Sequence, residues 1–210
     1  MSLMGIAQYG AFLAISLLVI CTPGQDTALT IRNTLLGGRR SGVATAAGVS
    51  SGQAVWTLAT SAGLAVILAA SGPLFLAIRL AGAGYLVYLG ARSLLRALVK
   101  SDQPTPTPDH RGAFWQGLLS NLSNAKMVAF FISLLPQFAG PRPGFMMLAL
   151  LGLNFCLLTL VWLIGYAFAV DRVKALLLRG RVQRAMDALL GAVLVGLGLR
   201  MTREALAARV

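Results

Sequence analysis

Charge is scarce in this chain, and acid above all. Only 11% of its 210 residues are charged, and just six are Asp or Glu. An ordinary soluble domain is about 25% charged. A water-soluble monomer this poor in polar surface would expose large apolar patches and aggregate, which excludes the soluble globular class. Disorder is excluded as well, because it needs low hydrophobicity, and here 57% of the residues are hydrophobic and mean hydropathy is +0.78. Cysteine and histidine are nearly missing. Cys21 and Cys156 lie inside apolar runs and read as reduced, buried thiols. The one histidine, His110, sits in a polar loop, so no metal-ligand spacing exists and neither metal nor cofactor is expected. There is no Walker A sequence, no HExxH, no GxSxG and no magnesium-holding carboxylate pair, so no ATP-driven motor and no enzyme is expected.

What is present is a set of long apolar runs. A helix needs about 20 apolar residues to cross a hydrocarbon core of about 30 Å. Six stretches qualify, near 5–31, 42–70, 74–98, 113–138, 145–169 and 186–203. The joints carry helix breakers: Gly37-Gly38, Gly72-Pro73, the Pro104 to Pro108 repeat, Pro141-Arg142-Pro143-Gly144 and Gly180. The expected fold is all-α, a polytopic membrane protein of six transmembrane helices in one domain. The run from Leu3 to Ile20 continues past a polar kink with no basic residue before Arg32, so it reads as the first span and not as a cleavable signal.

The net charge of +12 follows the connections. Twelve basic residues fall in three of them: Arg32, Arg39 and Arg40 after span 1; Arg92, Arg96, Lys100 and Arg111 after span 3; Arg172, Lys174, Arg179, Arg181 and Arg184 after span 5. The 4–5 connection has only Arg142, and the tail has Arg200, Arg203 and Arg209. This is the positive-inside pattern, with the odd connections cytoplasmic and both termini outside. It accounts for the basic character without nucleic acid. A Pro-, Thr- and Asp-rich linker at about 100–112 separates halves of three spans each, about 1–99 and 113–210. Halves with an odd number of spans enter the membrane with opposite polarity, as inverted repeats do.

Two polar interruptions stand out. In span 1, Pro23 and Gly24 should break the helix, and Gln25 and Asp26 follow at once. Unwound backbone at membrane depth is tolerated only in protein or against a wet cavity, and an intramembrane carboxylate costs at least about 2.5 kcal/mol at mid-span. In span 4, Asn121, Asn124 and Lys126 form the counterpart. At 1.5 Å per residue, Pro23 lies roughly 25 Å along span 1 and Asn124 roughly 15 Å along span 4 from the opposite side, so the two depths nearly coincide. Broken points at matching depth in both halves mark a transporter site, where Asp26 and Lys126 would pair. The bland alternatives are a simple kink and an Asp26 that snorkels to the surface. Gln53 in span 2 and Asn154 in span 5 either glue helices together or line the cavity. Gly48 and Gly52 read as close helix packing, as do the glycines of span 3 (Gly82, Gly84, Gly90) and span 6 (Gly191, Gly196, Gly198). The span 3 and span 6 faces also allow a homodimer.

At these residues the chain resembles the LysE/RhtB family of bacterial amino-acid exporters. The family's span 1 segment Thr-Pro-Gly-Pro-(Asp/Asn) is similar to Thr22-Pro23-Gly24-Gln25-Asp26, and its Gly-rich basic turn to Gly37 through Gly42. Gly82 to Gly90, with Tyr85 and Tyr88, matches the span 3 pattern. Asn124-Ala125-Lys126, Phe130-Phe131 and Pro136-Gln137-Phe138 match span 4. Gln25 and Ala125 each replace a family proline, which leaves a break in span 4 without its usual cause. The resemblance implies efflux of amino acids or their derivatives across the bacterial inner membrane, driven by proton or sodium antiport. The polar residues read above fit that role, so the expected substrate and ion site is Pro23, Gly24, Gln25, Asp26, Gln53, Asn121, Asn124, Lys126 and Asn154. A passive channel or a structural membrane subunit is the alternative class.

Overall fold

A computed structural model describes residues 5–63, 80, 83–84, 87–91, 94–95, 109–139, 144–177 and 180–207. The second joint at Gly72-Pro73, Tyr85, most of span 3, the linker up to Pro108 and the Pro141–Pro143 turn lie outside the described residues. Among the described residues there is no strand, and the helices overlap the expected spans but run past their bounds, over Gln25–Ser61, His110–Leu122, Phe145–Leu177 and Gly180–Ala207.

Helix α1, Ile6–Cys21, ends because Thr22 precedes proline, which disfavours helical backbone at that position. Thr22 is extended, with its N–H and Oγ1 both donating to the carbonyl of Leu18. Gly24 is extended too, and α2 starts at Gln25. Helix α2, Gln25–Ser61, is bent by 53° from α1 and is folded at Gly38. Gly38 has φ 74° and ψ −177°, a region essentially limited to glycine. The fold there is sharp. Eight residues of straight helix span about 12 Å, yet a Cβ added to Gly42 would lie 2.1 Å from Oγ1 of Thr34. Residues 25–37 and 39–61 are therefore the two arms of a helical hairpin, closed by a hydrogen bond from Asn33 Nδ2 to Thr45 Oγ1 at 2.9 Å.

The hairpin corrects one sequence expectation. Arg32 was counted with the connection, but the first arm runs on to Gly38 and Arg32 is buried within it, donating from Nη1 to Asn33 Oδ1. Arg39 and Arg40 remain exposed at the turn. The fourth span likewise begins early, inside the stretch assigned to the linker. Asp109 caps helix α3, His110–Leu122, by accepting from the backbone N–H groups of Arg111 and Gly112.

Helix α3 stops at Ser123. A short helix α4, Ala125–Ala129, leads into a π-helical segment, Phe130–Leu134, and then helix α5, Leu135–Phe138. The widened turn precedes Pro136, whose ring would collide with the carbonyl four residues back in a regular helix. Helix α6, Phe145–Leu177, contains the one described helix long and apolar enough to cross a bilayer unbroken, Phe145–Val173. Its exposed Met146, Leu150, Leu153, Leu157 and Val161 repeat every three or four residues along one face. Such a stripe suits lipid and is a liability in water. Helix α7, Gly180–Ala207, closes the chain.

Packing is close where glycines permit it. A Cβ on Gly48 would meet the Phe114 carbonyl oxygen at 2.0 Å, and one on Gly117 would meet the Thr45 carbonyl oxygen at 2.3 Å. The second arm of α2 and α3 are thus in backbone contact, which is the packing role expected of Gly48. Gly52 does the same beside Asn121. Gly90, Gly191 and Gly198 fasten the third span to α7 within one chain, so they are not available to a second copy. Gly84 and Gly196 have open space beside them, and Gly82 lies outside the described residues. An aromatic cluster of Phe12, Phe130, Phe131 and Phe155 joins α1, the π segment and α6, with the Phe130 and Phe155 rings stacked at 4.0 Å.

Candidate functional site at two helix breaks

The breaks at Pro23-Gly24 and at Ser123-Asn124 lie side by side. Asp26 follows the first in the opening turn of α2, where the N-terminal helix dipole favours an anion. Lys126 follows the second, two residues after Asn124. The second break forms although Ala125 stands where a proline was expected. Asn124 makes it instead: its backbone is extended and its Oδ1 accepts from the Lys126 N–H at 3.1 Å, capping α4. The bend there is 51°.

The two charges are crossed. Asp26 belongs to the first break but is held by side chains around the second. Ser120 Oγ donates to its Oδ1 at 3.1 Å, and Asn121 Nδ2 and Asn124 Nδ2 donate to its Oδ2 at 3.0 Å each. Lys126 belongs to the second break but is held by the first. Its Nζ donates to the carbonyls of Val19 and Thr22, both at 3.1 Å. Those carbonyls are left without helical partners where α1 ends, and a cation complements that end of the dipole. Gly24 permits the approach, since a Cβ there would lie 3.4 Å from Nζ. Gln25 adds a third tie by donating from Nε2 to the Ser120 carbonyl. The acid and the base therefore meet through the two breaks, not through a direct contact with each other. Both are satisfied, which is what charges withdrawn from water require.

A cavity of about 410 Å³ opens at this junction, lined by Thr22, Pro23, Gly24, Gln25, Asn124, Ala125, Lys126, Leu197 and Arg200. That volume falls within the range of small-molecule sites, about 300–1,000 Å³. Of the residues singled out from sequence, Pro23, Gly24, Gln25, Asn124 and Lys126 line it, while Asp26 and Asn121 form the layer behind. Gln53 lies elsewhere, buried with Nε2 donating to Thr159 Oγ1 and Met127 Sδ. Asn154 is apart as well, donating to the Tyr9 hydroxyl at 2.8 Å. Sequence reading missed Ser120 and Arg200. Ser120 stands just before the polar run that begins at Asn121, and one turn before Asn124, a spacing that could have revealed it. Arg200 carried no signal beyond its place at the end of an apolar stretch, Ala188–Arg200.

Comparison with known proteins bears on what such a site handles. The model of the family described as LysE type translocator matches residues 17–205. The leucine efflux protein of Salmonella choleraesuis (strain SC-B67) is 30% identical over 206 residues, covering 94% of this chain and 95% of its own length. The leucine efflux protein of Salmonella paratyphi A (strain ATCC 9150 / SARB42) matches equally. The membrane protein YrhP of Bacillus subtilis (strain 168) is 29% identical over 201 residues, covering 90% of this chain and 96% of its own. No solved structure is significantly similar.

Proposed function

Since the chain belongs to the LysE type translocator family, we propose that it exports amino acids or close derivatives across the bacterial inner membrane, with leucine the first substrate to test. The observation that carries this reading is the crossed acid and base at two adjacent helix breaks beside a cavity of about 410 Å³.

A proton is the coupling ion in this reading, and Asp26 carries it. As a carboxylate, Asp26 accepts from three donors that flank the second break. Protonation converts one of its oxygens into a donor and weakens the hold on Asn121 and Asn124. The tie between the N-terminus of α2 and the α3–α4 junction then loosens, while Lys126 still holds the end of α1. Two breaks under separate control give the gating elements that alternating access requires, one contributed by each half of an inverted repeat. Substrate binds in the cavity against Gln25, Asn124 and the backbone freed at Pro23-Gly24. Ligand chemistry at the junction favours a secondary transporter over a passive pore, which relies on rings of like groups.

A growth screen tests the substrate class. Cells overproducing the protein, challenged with each amino acid and its toxic analogues, are expected to resist leucine analogues and to release leucine faster than control cells. Unchanged resistance and unchanged efflux for every amino acid would reject the reading.

A further inference from the structure

We infer that an anionic phospholipid binds at the corner where the turn of the α2 hairpin meets α6, with its phosphate between Arg39 and Arg172 and an acyl chain lying along α6 at Gly165. This lipid site shares no residue with the cavity lining and is independent of the substrate proposed above.

The apolar stripe of α6 does not stop at Val161. Continued at the same helical spacing it reaches Gly165, Phe168 and Arg172, all exposed. The lipid-facing side chains thus run directly into a cation. The length fits a bilayer. At 1.5 Å per residue, Phe145 to Arg172 covers about 40 Å, and a bilayer with its headgroups is about 40–45 Å thick. With Phe145 in one headgroup layer, Arg172 lies in the other. By the positive-inside reading that is the cytoplasmic leaflet, whose anionic lipids attract basic residues. A second cation comes from α2. Arg39 stands at the hairpin turn with its guanidinium carbon 4.8 Å from the centre of the Phe168 ring. Phe168 and Arg172 are one turn apart on one face, so the two guanidinium groups meet at the end of the stripe. Asp171, an acid in the same corner, accepts from the Arg39 backbone N–H at 3.2 Å and fixes the turn against α6. Exposed Arg40 keeps the corner positive. One turn further into the membrane, a Cβ added to Gly165 would meet nothing within 4 Å, which leaves a notch in the stripe between Val161 and Phe168. Guanidinium groups hold phosphate oxygens through charge-assisted bonds. An apolar notch capped by arginines is complementary to a lipid with a negative headgroup, and less so to a zwitterionic one, whose ammonium the arginines repel.

The test uses the full chain in a neutral detergent and follows its thermal unfolding midpoint as lipid is added. The probes are dioleoylphosphatidylglycerol, dioleoylphosphatidylcholine and glycerol 3-phosphate, the last a phosphate without chains. Phosphatidylglycerol should raise the wild-type midpoint by at least about 2 °C, as for a ligand of the folded state, and the other two should not. Arg39→Gln combined with Arg172→Gln should need roughly tenfold more phosphatidylglycerol for half of that shift. Gly165→Leu, which keeps every charge but fills the notch, should weaken the response too. Arg111→Gln combined with Arg203→Gln removes two exposed arginines elsewhere and should respond as the wild type does. Equal shifts with phosphatidylglycerol and phosphatidylcholine, an undiminished response without Arg39 and Arg172, or an equal loss without Arg111 and Arg203 would overturn the site. An undiminished response in Gly165→Leu would remove the chain from the notch. A shift with glycerol 3-phosphate as large as with lipid would show a site for free phosphate and overturn the lipid.

Discussion

Asn124 does two jobs with one side chain. Its Oδ1 caps α4 and its Nδ2 donates to Asp26. Substitution separates the two. Asn124→Asp keeps an acceptor for the Lys126 N–H but sets a second carboxylate against Asp26, whereas Asn124→Ala removes the cap, at a cost of about 1 kcal/mol, without adding charge. Efflux rates normalised to membrane protein level should fall further for Asn124→Asp than for Asn124→Ala, even though the aspartate is the better cap. The reverse order would mean that capping, and not the Asp26 contact, is what matters at this position. Asp26 and Lys126 were legible in sequence because charge within an apolar span is costly enough to stand out. Ser120 was not, since a serine inside a membrane helix is usually satisfied by its own backbone. Nor was the destination of Gln53, because the face it presents depends on how α2, α4 and α6 pack.

At the scale of elements, the breaks and the turn were legible wherever a residue with a backbone constraint marked them. Pro23 and Gly38 are such residues. The second break was harder, because Asn124 makes it by capping and no proline announces it. The length of the first α2 arm was also hidden. Nothing in the local sequence separates Arg32 as a connection residue from Arg32 as a buried one, and only the Asn33 and Thr45 pairing across the turn decides it. Two glycines carry predictions here. Gly38→Ala forces a Cβ into a backbone region essentially closed to it, at a cost of about 1–3 kcal/mol. Gly48→Ala drives a methyl into the Phe114 carbonyl and should cost a similar amount, about 1–3 kcal/mol, by separating α2 from α3. Thermal unfolding in detergent should show a lowered midpoint for both. Gly165→Ala, with nothing within 4 Å of the added Cβ, should leave it unchanged or raise it. Equal midpoints for Gly48→Ala and Gly165→Ala would contradict the backbone contact between α2 and α3.

Over the whole molecule, composition alone excluded a soluble protein, and the apolar stripe of α6 is the structural form of that exclusion. The relation between the halves was harder to read, because it rests on long-range contact. Each half holds the charge of the other, Asp26 by Ser120, Asn121 and Asn124, and Lys126 by Val19 and Thr22. Reading along the chain placed both charges at similar depth and expected them to pair directly. Under the proposed coupling, the crossed arrangement lets a proton on Asp26 act on the break at Ser123-Asn124. The most direct measurement is leucine transport in proteoliposomes under an imposed proton gradient, comparing the wild type with Asp26→Asn at equal reconstitution. The gradient should accelerate wild-type transport severalfold and leave Asp26→Asn at the gradient-free rate. Equal acceleration of the two would contradict the coupling role of Asp26.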